Sequence, residues 1–498
     1  MNQPASQFQR QKRYGDFVYS LCAAFAMAAL LALGACGGGS SGDAFDSLAG
    51  VGTGGSGLAE GTVSGFGSVF IDGVEYEDAN ASVQQDDGAG TAVNAELKLG
   101  QRVRLSLDSP GTVKSIMVIP QLVGPVTQSA DASGTFKLMG QSVRLGVSAA
   151  LAGFNAATIT VGDELEVHGT WIRDSTTDTY VLTASRVEKL FAAPDPVQLS
   201  GLVQSIAGNN LRINSNLGTT IQAASLPAGL AVGSLVRVWA RRGALPADAD
   251  KTLVASRVVD TTLTATEVAD QTLRLAGPVA QFNAASRTVE VQGVRVQLPA
   301  DLRVDESALS KGEFVAIEVK RSGSGLVATV LTLRTGAGGV DPGQSVSLKA
   351  VTSDIDWAAT PVRFRLRDVD VIASQVVVDT ACRQAGANTD LLIEVKGRLA
   401  AAADVVLATQ LRCTPLGNGN GASGTTVNRT GTVGQLNLQT KTFVLETMRG
   451  SFNVQWNTQT YLPPEFTKHP ESLTGQSVEV EGVYQTGVLR ARKIKRSH

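Results

Sequence analysis

Apolar residues alternating with a period of two, plentiful glycine with few aromatics, and three short markers recurring six times in one order predict an all-β chain of tandem small domains. Glycine accounts for 53 of 498 residues, while Phe, Trp and Tyr together make up 5%. A chain of this length exceeds what a single core supports, so several domains are expected. The net charge of −2 gives no whole-chain attraction to nucleic acid or anionic lipid.

The first marker opens each unit as Gly-x-Val, at Gly61, Gly124, Gly201, Gly277 and Gly431; Lys349-Ala-Val351 opens the fifth unit without its glycine. The second is Gly-x-x-apolar-x-apolar, beginning at Gly100, Gly162, Gly233, Gly312 and Gly475. Its degenerate copy, Asp390-Leu-Leu-Ile393-Glu-Val395, has also lost the glycine. The third begins at Ala184, Ala255, Ala328, Ala408 and Ala491 and ends three residues later on Val, Leu or Ile, with Val113-Lys-Ser-Ile116 in its place in the first unit.

Between the markers the chain reads as strands. Val69 to Tyr76 alternates around Asp72-Gly73, which suits the positive-φ positions of a tight hairpin. Val289 to Val296 repeats the pattern around Gly293. A short Ala-, Leu- and Pro-containing stretch such as Ala223 to Val232 or Asp305 to Lys311 follows the third strand and reads as a helical turn at most. The order strand, strand, strand, short helix or loop, strand, strand is that of a five-stranded OB-like barrel. A stack of small β-sandwiches is the alternative. The expected repeats are 60–120, 121–192, 197–262, 272–336, 345–415 and 428–498, with linkers at Ala192 to Pro196, Gly336 to Gly343 and Leu416 to Thr426. They are expected to follow one another as a string.

The N-terminus specifies an address. Arg10, Lys12 and Arg13 form a basic region, and Phe17 to Leu33 is uncharged and rich in Ala and Leu. Leu33-Gly34-Ala35-Cys36 then matches a lipobox, in which small residues let the peptidase fit around the scissile bond before an acylated cysteine. Residues 1–35 are thus expected to be a lipoprotein signal peptide, with Cys36 the lipidated N-terminus and 36–59 a flexible tether containing a Gly/Ser-rich run. The apolar run is short for a span of roughly 20 residues. Gly37, rather than Asp, after the cysteine favours the outer membrane of a Gram-negative cell. With Cys22 removed and Cys36 acylated, Cys382 and Cys413 remain in a compartment where disulfides persist. They follow the third strand and end the fifth strand of the fifth unit, which run side by side in an OB-like barrel, so a disulfide between them is expected.

The segment Glu60 to Tyr76 resembles the opening of bacterial lipoproteins built from tandem copies of an uncharacterised domain, and Gly162 to Gly169 with Ala184 to Val187 resembles that domain's second half. The resemblance extends over most of residues 60–498, with the fifth copy departing at both glycines. It implies a repeated OB-like fold and no catalytic residue.

The residues offer little chemistry. His168, His469 and His498 are scattered and read as solvated, and no Cys/His cluster offers zinc ligands. Neither a metal nor a cofactor is expected. Gly419 to Gly424 fits Gly-x-Gly-x-x-Gly but sits among linker residues without the strand and helix a dinucleotide site needs. Asp86-Asp87 and Asp248-Ala-Asp250 lack EF-hand spacing and read as hairpin tips. Arg363, Arg365 and Arg367 fall on one face of a strand and, with Trp171, are the expected ligand contacts if any exist. Trp239, Trp357 and Trp456 share no repeat position and read as packing residues. Arg490, Arg492, Lys493, Lys495 and Arg496 form a basic tail that reads as an ordinary polar strand face. The expected function is a non-enzymatic envelope lipoprotein whose modules bind or space an envelope protein or glycan, held to the membrane by its lipid. The alternative is an oligosaccharide- or polyanion-binding protein using the barrel faces. Nucleic acid is not an expected partner.

Overall fold

The computed structural model describes residues 57–497, apart from 246–251, 264–267, 269–271, 334–344, 385–389, 401–404, 417–425 and a few shorter gaps. Cys36, the tether up to residue 56, Asp248, Asp250, the Gly419 to Gly424 run and His498 lie outside the described residues, while residues 57–59, expected in the tether, are strand paired with Thr272 to Arg274. The chain is all-β in class, and the α-helices among the described residues are single turns such as Glu306–Ser310, Thr380–Gln384 and Pro464–Lys468.

The sixth repeat shows how the markers work. Its first strand, Thr426–Asn437, pairs antiparallel with both Thr442–Thr447 and Ser477–Gln485. Thr442–Thr447 pairs in turn with Gly450–Gln455, which runs parallel to Val488–Arg496, and that strand returns antiparallel along Ser477–Gln485. The pairing is a closed cycle of five strands. Phe443, Leu445, Val454, Phe466, Val478, Leu489 and Ile494 fill its inside. Each such burial stabilises by about 1.5–3 kcal/mol. The second and fourth repeats close in the same way.

The first two markers are two sides of one joint. The Val433 N–H donates to Gln476 O at 2.9 Å, and Gly475 N–H donates back to Val433 O at 2.8 Å. Val63 with Gly100 and Gln101 in repeat one makes the same exchange. Gly475 and Gly100 have φ of 72° and 80°, a region where a Cβ is costly. At this joint the first strand leaves the fourth and turns onto the second.

The third marker is a β-bulge. In each repeat its second residue is left out of the ladder between fourth and fifth strands: Lys114, Ser185, Thr329, Thr409 and Arg492. In the third repeat Ser256 breaks the fifth strand into Thr252–Val254 and Arg257–Asp260. A bulge of this kind bends its strand and sharpens the twist. Opposite it, the fourth strand of repeat six carries Gly482, where a Cβ would lie 2.2 Å from Arg490 O.

The expectation of a string is corrected. Repeat one packs against all five others. Its first strand, Gly57–Phe66, runs parallel to repeat four through Gly57↔Thr272 to Glu60↔Leu275, and to repeat five through Gly65↔Ser347 and Phe66↔Leu348. Where repeats four to six have a helical turn, repeat one has an extra hairpin, Ser82–Asp86 and Ala92–Asn94. Around it Asp86 accepts from Arg257 of repeat three at 2.8 Å, and Lys98 donates to Glu188 of repeat two at 2.6 Å. Asp78 accepts from Arg492 of repeat six at 2.7 Å. Strand periodicity reports which face of a strand is buried, whereas these contacts use edges, loop tips and charged ends that carry no period.

Candidate functional site

The bulge residue serves two purposes. In repeats three, four and five its hydroxyl satisfies the carbonyl opposite: Ser256 donates to Trp239 O, Thr329 to Glu318 O and Thr409 to Lys396 O, at 3.0–3.2 Å. In repeats two and six it reaches outward to repeat one. The Ser185 hydroxyl donates to Gly100 O at 2.6 Å, followed by Arg186 to Leu99 O at 3.0 Å, and Arg492 takes Asp78. Burial alone would lower the Arg492 pKa, but the Asp78 carboxylate outweighs it and raises it.

Two small cavities open where these docking ends meet the repeat-one hairpin and the turn at Arg367 of repeat five. One, of about 170 Å³, lies between repeats one and six. The other, of about 190 Å³, is bounded by repeats one, two, five and six. They share Phe66, Glu96, Leu97 and Arg367. Eight lysines and arginines line the pair against three glutamates. Each glutamate is shared between two cations: Glu96 by Lys98 and Lys493, Glu188 by Lys98 and Arg186, Glu481 by Arg367 and Lys493. Burial pushes the Glu188 carboxyl up, but Lys98 and Arg186 outweigh it and hold it below its ordinary range. Lys98 is correspondingly raised, because Glu96 and Glu188 outweigh its burial. Asp78, Glu479 and Asp370, just outside the lining, pair with Arg492, Lys495 and Arg365, so the cleft is a network of ion pairs with only a small cationic excess.

Arg367 is the centre of it. The side chain is 4% exposed, its guanidinium lies 4.9 Å from the Phe66 ring centre, and its Nη2 donates to Glu481 at 2.8 Å. Its Nε and Nη1 have no hydrogen-bond partner among the described residues, nor does Nη1 of Arg492. Buried guanidinium nitrogens without acceptors are costly.

The residues expected from the sequence are thus redistributed. Arg363 and Arg365 stay exposed on Val362–Leu366, Arg365 at the rim of the second cavity. Arg367 leaves that strand through a turn with φ of 48° and is buried, so the three do not form one exposed face. Trp171 is not a ligand platform: it is 5% exposed and donates its indole N–H to Ser200 at 3.1 Å. His168 is wholly buried rather than solvated, accepting from Arg102 N–H at Nδ1 and paired with Glu166 through Nε2. His469 is exposed. Trp239 packs under Arg257, and Trp357 meets Phe364. The basic tail is consumed in contacts: Lys493 with Glu96 and Glu481, Lys495 with Glu479, Arg496 over Phe466. Asp86 is tied to Arg257, and Asp87 caps its own turn through Ala89 and Thr91. Cys382 and Cys413 are joined in a disulfide with Cα atoms 5.0 Å apart. Glu96, Lys98, Arg186, Glu188 and Glu481 carry no site motif in the sequence. The only trace of the middle pair was the charge flanking the repeat-two bulge, Arg186-Val-Glu188.

Residues 123–188 and 430–495 match the model of a family described as a domain of unknown function, DUF5666. The chain carries that domain in two copies. The DUF5666 segments coincide with repeats two and six, which keep a glycine at the opening marker, at the joint and opposite the bulge: Gly124, Gly162 and Gly169, and Gly431, Gly475 and Gly482. They are also the two repeats whose bulge residues dock on repeat one. No curated protein matches the chain. Among solved structures, a putative 6-phosphogluconolactonase from Bacteroides fragilis is similar at 10% identity over 89% of this chain and 97% of its own, with a TM-score of 0.09. At that TM-score the likeness carries no argument.

Proposed function

We propose that the protein is a non-enzymatic, lipid-anchored binding protein of the cell envelope, held by Cys36 in the outer membrane of a Gram-negative cell. In this reading each of the six repeats is a small OB-like barrel, and the array gathers around repeat one to build a binding cleft rather than extending as a spacer. The observation that carries it is the ion-paired cleft formed jointly by repeats one, two, five and six, with Arg367 buried at its centre. A spacer needs no shared cleft, and barrel faces acting singly need no hub.

The chemistry of the lining fits binding. Arg, Lys and Glu held in mutual ion pairs orient and neutralise a charged guest. The partner favoured is accordingly an anionic envelope component, a glycan before a protein. The lipobox and the Cys382–Cys413 disulfide both suit an oxidising compartment outside the cytoplasm.

Two measurements test this. Cys36→Ser should move the protein from the membrane fraction to the soluble envelope fraction; unchanged membrane retention would refute the anchor. Affinity capture from envelope extract, using the chain from Gly37 onward without lipid, should enrich an acidic glycan. Enrichment of a single protein with no glycan would turn the reading to a scaffold.

A further inference from the structure

We propose that the joint face of repeat two, at Val161, Gly162 and Phe191, docks a DUF5666-type β-domain of a separate chain whose bulge presents Ser-Arg. None of the three residues lines the cleft, so what the cleft binds does not bear on this face.

The first support is an occupied copy of the same site. In repeat one, the joint residues Leu99 and Gly100 lie under repeat two, with Ser185 donating to Gly100 O and Arg186 to Leu99 O. Leu99 is 3% exposed, and a Cβ on Gly100 would lie 2.6 Å from Ser185 O. The exit from this joint is covered too. Ile119 N–H donates to Arg102 O, and the next residue, Pro120, is buried with its carbonyl accepting from Gln198.

Repeat two has the same joint without the cover. Gly162 N–H donates to Val126 O and Val126 N–H to Asp163 O, the exchange made in repeat one by Gly100, Val63 and Gln101. Yet Val161 is 64% exposed, and a Cβ on Gly162 would meet nothing within 4 Å. Among the described residues no hydrogen bond reaches the carbonyl of either. At the exit, Leu190 N–H donates to Glu164 O, and Phe191 then stands fully exposed where repeat one buries Pro120.

The residue ahead of the joint glycine separates covered from bare joints. Repeats four and six leave it exposed, and it is polar there, Lys311 and Thr474. Repeat two instead carries the apolar residue of a covered joint. Val232 of repeat three is also exposed, but the polar Thr262 takes the place of Phe191.

The tip is also held ready. Val161 N–H donates to Ser129 Oγ at 3.1 Å, and Thr160 N–H to Asp163 at 2.9 Å. Such preorganisation lowers the ordering cost of binding. The rim charges are paired, Lys189 with Asp163 and Arg242 with Glu164, which suits a protein better than an anionic lipid surface. The chain itself supplies no plug. Ala-Ser-Arg-Val occurs at 184–187 and 255–258, and both copies are in use. Ser185 and Arg186 hold repeat one, while Ser256 donates to Trp239 O and Arg257 to Asp86.

The test is calorimetric titration of the intact mature chain with repeat two alone, residues 121–192, carrying Val161→Asp so that the probe has a plug but no joint. It should bind one to one. Val161→Asp in the intact chain should weaken binding at least about tenfold, because it sets an unpaired carboxylate against the probe. Arg186→Ala in the probe should do the same, and Val376→Asp, exposed on repeat five, should change nothing. Equal affinity for wild type and Val161→Asp would overturn the site.

Should the excised repeat not fold, the intact chain serves. Thr409→Ser with Gln410→Arg writes Ser-Arg into the outward bulge of repeat five. That variant should self-associate in sedimentation velocity, and adding Val161→Asp should reverse it; a persistent monomer overturns the proposal. Self-association of the wild type that Val161→Asp abolishes would put a second copy in the partner's place and overturn the assignment to a separate chain. So would wild-type binding to phosphatidylethanolamine–phosphatidylglycerol vesicles that Phe191→Ser abolishes, which would make the face a membrane contact.

Discussion

The fifth and sixth repeats share a strand order and close differently. In the sixth, the first strand pairs with the fourth only as far as Thr432↔Ser477, and then turns at the Val433–Gly475 joint onto the second strand. The fifth has neither glycine of that joint. Its first strand, Ser345–Thr352, runs straight along the fourth from Ser345↔Arg398 to Thr352↔Leu391, and among the described residues no register joins it to Val362–Leu366. Among the described residues the ring is not closed by strand pairing on that side. Its opposite side, where the third and fifth strands run parallel, is the side that carries the disulfide. There the Asp379 carboxylate also accepts from the N–H groups of both Cys382 and Cys413. The comparison teaches that the glycine joint closes these repeats and that a covalent link accompanies its loss.

Removing the disulfide should therefore have the largest effect. A loop of 31 residues' separation corresponds to about 4 kcal/mol of unfolded-state restriction. Replacing both cysteines by serine should lower the denaturation midpoint accordingly; an unchanged midpoint would mean that the open ring needs no covalent support. Next comes the bulge residue, which the two repeats use differently. Arg492→Ala strands the buried Asp78 carboxylate and should cost about 3 kcal/mol. Thr409→Val removes only an exposed hydroxyl bond and should cost under about 1 kcal/mol. If the two variants melt alike in urea, the bulge of repeat six is not a docking element. Between these, Gly475→Ala should cost about 1–2 kcal/mol for its positive φ. The counterpart Asp390→Gly in repeat five should lower stability as well, because Asp390 accepts from both terminal nitrogens of the buried Arg429 of repeat six at 2.6–2.8 Å.

A further effect is electrostatic and is read from its pH dependence. Burial pushes the Glu60 carboxyl of repeat one up, but Arg104 and Arg102 outweigh it and hold it below its ordinary value. A depressed folded-state pKa contributes stability above the unfolded value near ~4.3 and loses it as pH falls further. Wild type should thus lose stability on acidification below about pH 4 more steeply than Glu60→Gln, which has already lost that term. Parallel pH curves would contradict the assignment.

Much of the all-β class was legible, because period two and the Asp72-Gly73 and Gly293 turns are local signals. The Cys382–Cys413 link was also legible, because it follows from a strand order read along the chain. The markers were visible as patterns but not as mechanisms. Nothing in Gly475 and Val433 says that they hydrogen-bond to each other, or that Ala-x-x-Val leaves its second residue out of a ladder. The cleft was not legible, since Glu96, Arg186, Arg367 and Arg492 come from four repeats and meet only through contacts with a hub. Arg367 was singled out for the wrong reason. Its spacing placed it on an exposed strand face, whereas the chain turns one residue earlier and buries it.

The hub is the central claim, and small-angle scattering of the chain from Gly37 onward tests it most directly. A body of this size gathered around repeat one should show a radius of gyration near ~22 Å, somewhat enlarged by the tether. Six modules strung end to end would exceed roughly 40 Å. The lower value supports the shared cleft; the higher one would dissolve it, together with the role assigned to Arg367.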